Sequence, residues 1–390
     1  MTEPTHTHAW QARQDEVRLG CVAGFPVGMN WSVLVIAWLL TWSLATGGLP
    51  HGAPGHAAGT YWAAGAVAAV VFLASLLAHE LAHSVVARRS GIEVTGITLW
   101  LFGGVASLSR EPETPAADLR IAAAGPGASL ALAGLFGVGS LAVEATSAPH
   151  ILASVTGWLA GVNLMLGLFN LIPGAPLDGG RVLRAIVWRL RGDRHQAALI
   201  ATSAGAVVGY GLIGLGLTQF LVAGGIGGLW FVFIGWFLLN AARAEKAHER
   251  IRHALTGVKM SDAMTPATSV IPAWLAVGDA IERHALTDRI DVWPVEGFDG
   301  RIAGVVTIDG LRAVPVDERT ATQVSAITIP ADALVQVPLT STVIELLGRA
   351  DSVVDRPVLV SDGDRVVGIV TGDDLERVAG RRLGATRSHH

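Results

Sequence analysis

Polar positions nearly vanish from six stretches of the chain: residues 31–49, 61–88, 119–143, 151–172, 197–222 and 227–242. Each is close to the about 20 residues that a helix needs to cross a bilayer, so six transmembrane helices are predicted. Residues 94–108, between the second and third stretches, are too few to cross as a helix. Their β-branched residues and the pair Gly103-Gly104 predict a strand or hairpin. Irregular backbone survives at membrane depth only where protein or a water-filled cavity satisfies it. An open strand edge there could take an extended substrate by β-augmentation. From about Val258 the pattern changes to charged, alternating α/β segments. Two units of roughly 60 residues follow, too small for comfortable independence, which predicts one paired domain.

Composition supports this division. Of 390 residues, 51% are hydrophobic and 15% charged, against about 25% charged in a typical soluble domain. A single cysteine, Cys21, excludes an internal disulfide framework and a thiolate metal cluster. Net charge of −4 gives no sign of nucleic-acid binding. The polar start of the chain and the length of its first apolar run do not fit a cleavable signal peptide. Abundant arginine, with Lys246 and Lys259 the only lysines, fits a bacterial source.

Charge also orients the spans. Loops after spans one, three and five contain no Lys or Arg. Those after two and four carry Arg88, Arg89, Arg110, Arg181, Arg184, Arg189, Arg191 and Arg194, and more basic residues follow span six. Basic loops are retained in the cytoplasm, so both termini are expected there, with the protein in a bacterial inner membrane.

The polar residues inside span two carry the chemistry. His79-Glu80-Leu81-Ala82-His83 follows the uncharged run 61–78. A charged side chain at mid-bilayer costs roughly 2.5–3.5 kcal/mol, so such residues usually have a functional partner. HExxH on a helix places both histidines on one face, where they can bind one Zn²⁺, with the glutamate acting on its water. A catalytic zinc site needs a third protein ligand. Asp178, in the break 170–180 that ends span four, is a candidate. Spans two and four run in the same direction, so His79, His83 and Asp178 can meet at one depth, below the cytoplasmic surface.

HELAH on span two, with NLIPGAPLDGG after span four, resembles the site-2 protease family of intramembrane zinc metalloproteases. Gly103-Gly104 and Ala124-Gly125-Pro126-Gly127 are similar to that family too, and the likeness covers about residues 20–240. It implies a Zn²⁺ held by His79, His83 and Asp178. It implies Glu80 as general base and Asn170 as a holder of the scissile carbonyl or its oxyanion. It also implies a transmembrane protein substrate, such as an anti-sigma-factor-like single-span protein, met within the lipid bilayer.

Residues 258–378 resemble a tandem of CBS domains. That likeness implies a regulatory module able to bind an adenine nucleotide such as ATP or AMP between its repeats, and able to pair two chains as a homodimer. The signature is a Thr with an Asp three positions on. Thr371 and Asp374 match it, whereas Thr307 has Gly310 at that place and Asp309 one residue early.

The expected fold is a polytopic α-helical membrane protein with a membrane-associated β segment, followed by a cytoplasmic α/β tandem CBS domain. The expected divisions are an N-terminal tail 1–20, a protease domain 21–242, a helical linker 243–257, the CBS pair 258–380 and a C-terminal tail 381–390. The expected activity is zinc-dependent endoproteolysis of transmembrane or membrane-proximal segments. The runner-up is a CBS-regulated ion transporter or channel.

Overall fold

The structure is a computed structural model describing residues 16–100, 103–146, 148–223, 227–285, 290–349, 356–363 and 365–387. It divides into two compact units, Met1–Glu249 and Arg250–His390.

The first unit opens with strands β1 (Glu16–Val22) and β2 (Phe25–Asn30). Helix α1 (Ser32–Ser43), a π-helical turn (Leu44–Gly48) and α2 (Leu49–Gly52) then make the first apolar rod. Helix α3 (Ala58–Arg89), strands β3 (Val94–Trp100) and β4 (Gly103–Leu108), and helices α4 (Pro115–Glu144) and α5 (His150–Asn170) follow. The unit continues through α6 (Asp178–Arg191) and α7 (Arg194–Ala223) into α8 (Gly227–Leu255). Among the described residues, six helical rods are long and apolar enough to cross a membrane, the number expected from the hydrophobic runs. A helix satisfies its backbone groups within the segment, which lipid does not do.

Three parts differ from expectation. Residues 16–20, read as tail, belong to β1; the rest of that tail lies outside the described residues. Strand β2 pairs in parallel with β3 (Val27 with Ile97), so the expected hairpin becomes half of a sheet ordered β1-β2-β3-β4. The sheet is anchored by Phe25, Val27 and Ile97, which pack against Leu77, Leu81 and Val85 of α3. The basic segment after span four is also no loop. It forms α6, whose apolar residues and arginines fall on different faces, and it stops at Gly192 in the left-handed region (φ 75°).

In the second unit α8 runs without a break through the expected start of the linker to Leu255, whose side chain is buried in the core of that unit. The first repeat contains α9 (Met260–Ala263), β5 (Thr265–Pro266), β6 (Ile271–Pro272), α10 (Val277–Ala280), β7 (Val292–Glu296), β8 (Ile302–Thr307) and α11 (Ile308–Ala313). The second contains β9 (Ile329–Pro330), β10 (Gln336–Pro338), α12 (Val343–Arg349), β11 (Val358–Asp362), β12 (Arg365–Val370) and α13 (Gly372–Arg387). The repeats exchange strands: the sheets are ordered β6-β7-β8-β9 and β10-β11-β12-β5. Val305, Leu334, Leu359 and Ile369 are buried together between the two copies. Neither repeat completes its sheet alone, which is why the two repeats make one domain.

Candidate metal centre

Helix α3 buries Tyr61, Gly65, Ala68, Ser75, His79, His83 and Ala87. Steps of three, four or seven keep them on one inward stripe. The two histidines therefore continue a face made, after Tyr61, of small residues, and are 3% and 7% exposed. Asp178 reaches them from the first residue of α6. His79 Nε2 and His83 Nε2 each lie 3.1 Å from Asp178 Oδ2 and 3.2 Å from each other. Among the described residues this is the only cluster of three His, Cys, Asp or Glu side chains arranged to hold a metal ion.

The outward-facing nitrogens are already committed. His79 Nδ1 is 2.9 Å from Ser129 Oγ, and His83 Nδ1 donates to Ile121 O at 2.6 Å. A carbonyl can only accept, so neutral His83 carries its proton on Nδ1 and presents a bare Nε2. Zinc bond lengths of about 2.0–2.2 Å place tetrahedral donors roughly 3.3–3.5 Å apart. The observed spacing is within a few tenths of that, so the donor set fits Zn²⁺. Space is kept by Gly125 of α4, where a Cβ would overlap His83 Nε2 and crowd His79 Nε2.

Glu80 is half-buried beside this cluster. Gly104 of β4 lies against it so closely that a Cβ there would meet Glu80 Cγ. Gly104 thus lets a strand pass over the carboxylate. Asn170, the last residue of α5, donates Nδ2 to Leu166 O of its own helix at 3.0 Å. In this arrangement its amide serves α5 rather than the cluster.

Several contributors were not found from sequence: Ser129, the Ile121 carbonyl, Gly104 as neighbour of Glu80, and Asp118. Asp118 is fully buried and pairs with Arg184 through two bonds of 2.9 Å and with Arg181 at 3.4 Å. Burial lowers the Arg184 guanidinium, and Asp118 more than offsets it, so the arginine remains charged. An isolated carboxylate at the start of an apolar span was the signal available for Asp118. A cavity of about 340 Å³ flanks Asp178 in the chain, lined by Ala106, Leu108, Pro176, Leu177, Gly180 and Arg181 among others.

The expected nucleotide contacts are occupied internally. Asp374 is 2% exposed and accepts from Thr371 N at 3.0 Å, Thr371 Oγ1 at 2.9 Å and Thr265 Oγ1 at 2.8 Å. Arg377 pairs with it at 2.9 Å. The adjoining cavity is about 90 Å³, well under the roughly 300–1,000 Å³ of ordinary small-molecule sites. Thr307 in the first repeat caps α11, accepting from Gly310 N at 3.1 Å.

Comparison with known proteins agrees with the membrane unit's chemistry. The sequence pattern of Peptidase family M50 matches residues 67–145 and 134–212. A Mycobacterium tuberculosis protein named as zinc metalloprotease Rip3 is 48% identical over 370 residues, covering 94% of this chain and 93% of that protein. The site-2 protease from Methanocaldococcus jannaschii is similar at 27% identity over 59% of this chain and 95% of its own, with a TM-score of 0.40. The CBS domain of a bacterial CNNM/CorC-family Mg²⁺ transporter is similar at 19% identity over 37% of this chain and 93% of its own, with a TM-score of 0.29. With a relative of such identity along nearly its whole length, the chain belongs to peptidase family M50, the site-2 protease family of zinc metalloproteases.

Proposed function

We propose that this protein is an intramembrane endopeptidase of the bacterial inner membrane, with both termini cytoplasmic, that cuts transmembrane or membrane-proximal segments of other membrane proteins. The observation that carries the reading is the convergence of His79 Nε2, His83 Nε2 and Asp178 Oδ2 beside the half-buried Glu80. These three residues would hold Zn²⁺, which when bound acts as a Lewis acid and lowers the pKa of water from about 15.7 to about 7. Glu80 takes the proton of the attacking water and delivers it to the departing amine nitrogen. Asn170 donates to the developing oxyanion once its Nδ2 turns away from Leu166. Ser129 and the Ile121 carbonyl hold the imidazoles in orientation.

A transmembrane helix hides its carbonyls, so the substrate must unwind before cleavage. Strand β4 lies at the edge of its sheet and contributes Ala106 and Leu108 to the cavity also lined by Leu177 and Gly180. It offers an extended segment the backbone partners it loses on unwinding. A substrate such as an anti-sigma-factor-like single-span protein fits this reading. A CBS-regulated transporter or channel, the runner-up, gives no reason for the His79, His83 and Asp178 donor set.

Regulation is assigned to the CBS pair, with Thr371 and Asp374 contacting an adenine nucleotide, and Thr307 marking the weaker second cleft. Asp374 then exchanges Thr265 for a ribose hydroxyl as the cleft opens. The CBS pair is also the surface proposed for homodimer formation.

The test co-expresses single-span membrane proteins with wild type or Glu80→Gln. Cleavage disappears in the variant while its zinc content stays at the wild-type level. Cleavage at the wild-type rate by Glu80→Gln removes Glu80 from the mechanism. Equal cleavage of a poly-Leu span and one bearing Gly or Asn overturns the unwinding step.

A further inference from the structure

One face of α4 meets both histidines of the donor set directly and Asp178 through α6. Asp118, Ile121, Gly125 and Ser129 follow at steps of three and four, so they share that face. Ser129 meets His79, the Ile121 carbonyl meets His83, and Gly125 leaves room for both. Asp178 is reached differently. It opens α6, and Arg181 and Arg184, three and six residues on, both grip Asp118. A rigid helix of less than two turns separates the grip from the ligand.

We infer that Asp118, acting through Arg181 and Arg184, is the positioning residue that fixes Asp178 against the two histidines. Asp178 follows a break made of Pro173, Gly174 and Pro176, so no helix before it sets its direction. Gly179 and Gly180 press on the backbone of Leu171–Ile172 and Gly174–Ala175. These glycine contacts set how near α6 sits to the break. The two-pronged Asp118–Arg184 pair sets how α6 is rolled, because a guanidinium and a carboxylate match in one plane only. The pair is largely buried, its side chains 1% and 12% exposed, so removing one partner leaves the other poorly solvated. Span three thereby organises the whole centre, two ligands directly and the third through α6.

The inference rests on the metal reading, and its test separates the two. Full-length protein in detergent is titrated with Co²⁺ and Zn²⁺, and the Co²⁺ ligand-field absorption reports the donor set. Asp118→Asn should weaken both metals about 10–100-fold, as loss of an outer partner does. It should also reproduce the absorption of Asp178→Asn. Arg184→Lys, which keeps the charge but not the fork, should fall between it and wild type. Since Asp118→Asn leaves two guanidiniums facing a neutral group, Asp118→Leu with Arg184→Leu serves as a second variant without a buried charge pair. It should melt as wild type does and still show the Asp178→Asn absorption. Wild-type metal affinity and absorption in that double variant would overturn the inference while leaving the metal reading intact. Failure of the wild type to bind Co²⁺, or binding unaffected by His79→Ala, would overturn the metal reading and the inference together.

Discussion

Two enclosed carboxylates, Asp178 in the membrane unit and Asp374 in the C-terminal unit, sit in opposite kinds of surroundings. Asp374 faces donors: one N–H, two hydroxyls and a guanidinium. Its hydrogen bonding is complete within the chain. Asp178 faces two imidazole nitrogens, and His83 at least has its proton committed to Ile121 on the far side of the ring. Lone pairs therefore converge at the metal centre, whereas donors and acceptors match at the cleft. Converging acceptors repel unless a cation lies between them. A carboxylate enclosed by donors needs nothing further. The difference separates a site built to hold an ion from a carboxylate that caps a helix and closes a fold.

The largest expected effect tests whether the converging acceptors need open space. Gly125→Ala places a methyl group against His83 Nε2 and His79 Nε2. Zinc content and cleavage should both be lost, with about 1–3 kcal/mol of destabilisation from overpacking. Gly127→Ala, two residues along the same helix, meets nothing within 4 Å. It should retain zinc and gain up to about 1 kcal/mol from helix propensity. Metal analysis of the purified variants decides; equal zinc in both would mean that the cluster is not where the ion sits.

The carboxylates themselves can be exchanged for amides. Asp178→Asn removes an anion from among acceptors, so the metal-stripped membrane unit should melt close to wild type while zinc affinity collapses. Asp374→Asn turns donors toward donors and should cost the C-terminal unit about 2–3 kcal/mol, with zinc content unchanged. Chelation sharpens the contrast, since a ligand that binds only the folded state stabilises only the unit holding it. A chelator should lower the melting of the membrane unit alone. Equal destabilisation by the two amides in metal-free protein would erase the distinction between the sites.

Much of the metal centre was legible in sequence because its signals are local. HELAH lies in one helix, and parity of the spans placed Asp178 on the side of His79 and His83. The contributions of Ser129 and Asp118 depend on which residues meet across 50 to 66 positions of chain. No periodicity states those partners. Helix α6 was hidden for another reason: its arginines served as evidence for a cytoplasmic loop, and the amphipathic repeat beneath them went unread. Residues 16–20 of β1 were read as tail because a short segment becomes a strand only when a neighbouring edge pairs with it, here β2, which β3 supports in turn. At the cleft, Thr371 and Asp374 were read as nucleotide contacts. Their sequence match could not reveal that they bond first to each other.

A smaller effect probes how firmly the imidazoles are held. Ser129→Ala removes the partner of His79 Nδ1 and leaves the ligand itself in place. Zinc affinity should fall about 10–100-fold with the fold retained. Competition with a chromophoric chelator measures this directly, and an unchanged affinity would show that His79 is oriented by packing alone.

The smallest effect belongs to Arg377, and it separates two arginine–aspartate pairs that are both 2.9 Å long. Arg184 and Asp118 have side chains 12% and 1% exposed, whereas Arg377 is 53% exposed against a buried Asp374. An exposed guanidinium gives up little when it returns to water, and Asp374 keeps three other donors. Arg377→Gln should therefore change the stability of the C-terminal unit by no more than about 0.5 kcal/mol. Its position on the cleft makes it more useful as a probe of ligand than of fold. If an adenine nucleotide binds there, its phosphates have Asp291 and Asp373 nearby and Arg377 as the cation lining the same cavity. Nucleotide affinity measured by calorimetry should then drop several-fold in Arg377→Gln at unchanged melting temperature. A melting shift of 2 kcal/mol or more on the scale of about 1.4 kcal/mol per tenfold change in equilibrium would instead place Arg377 in the folded framework with Asp374, and the cleft would be a closed structural joint rather than a ligand site.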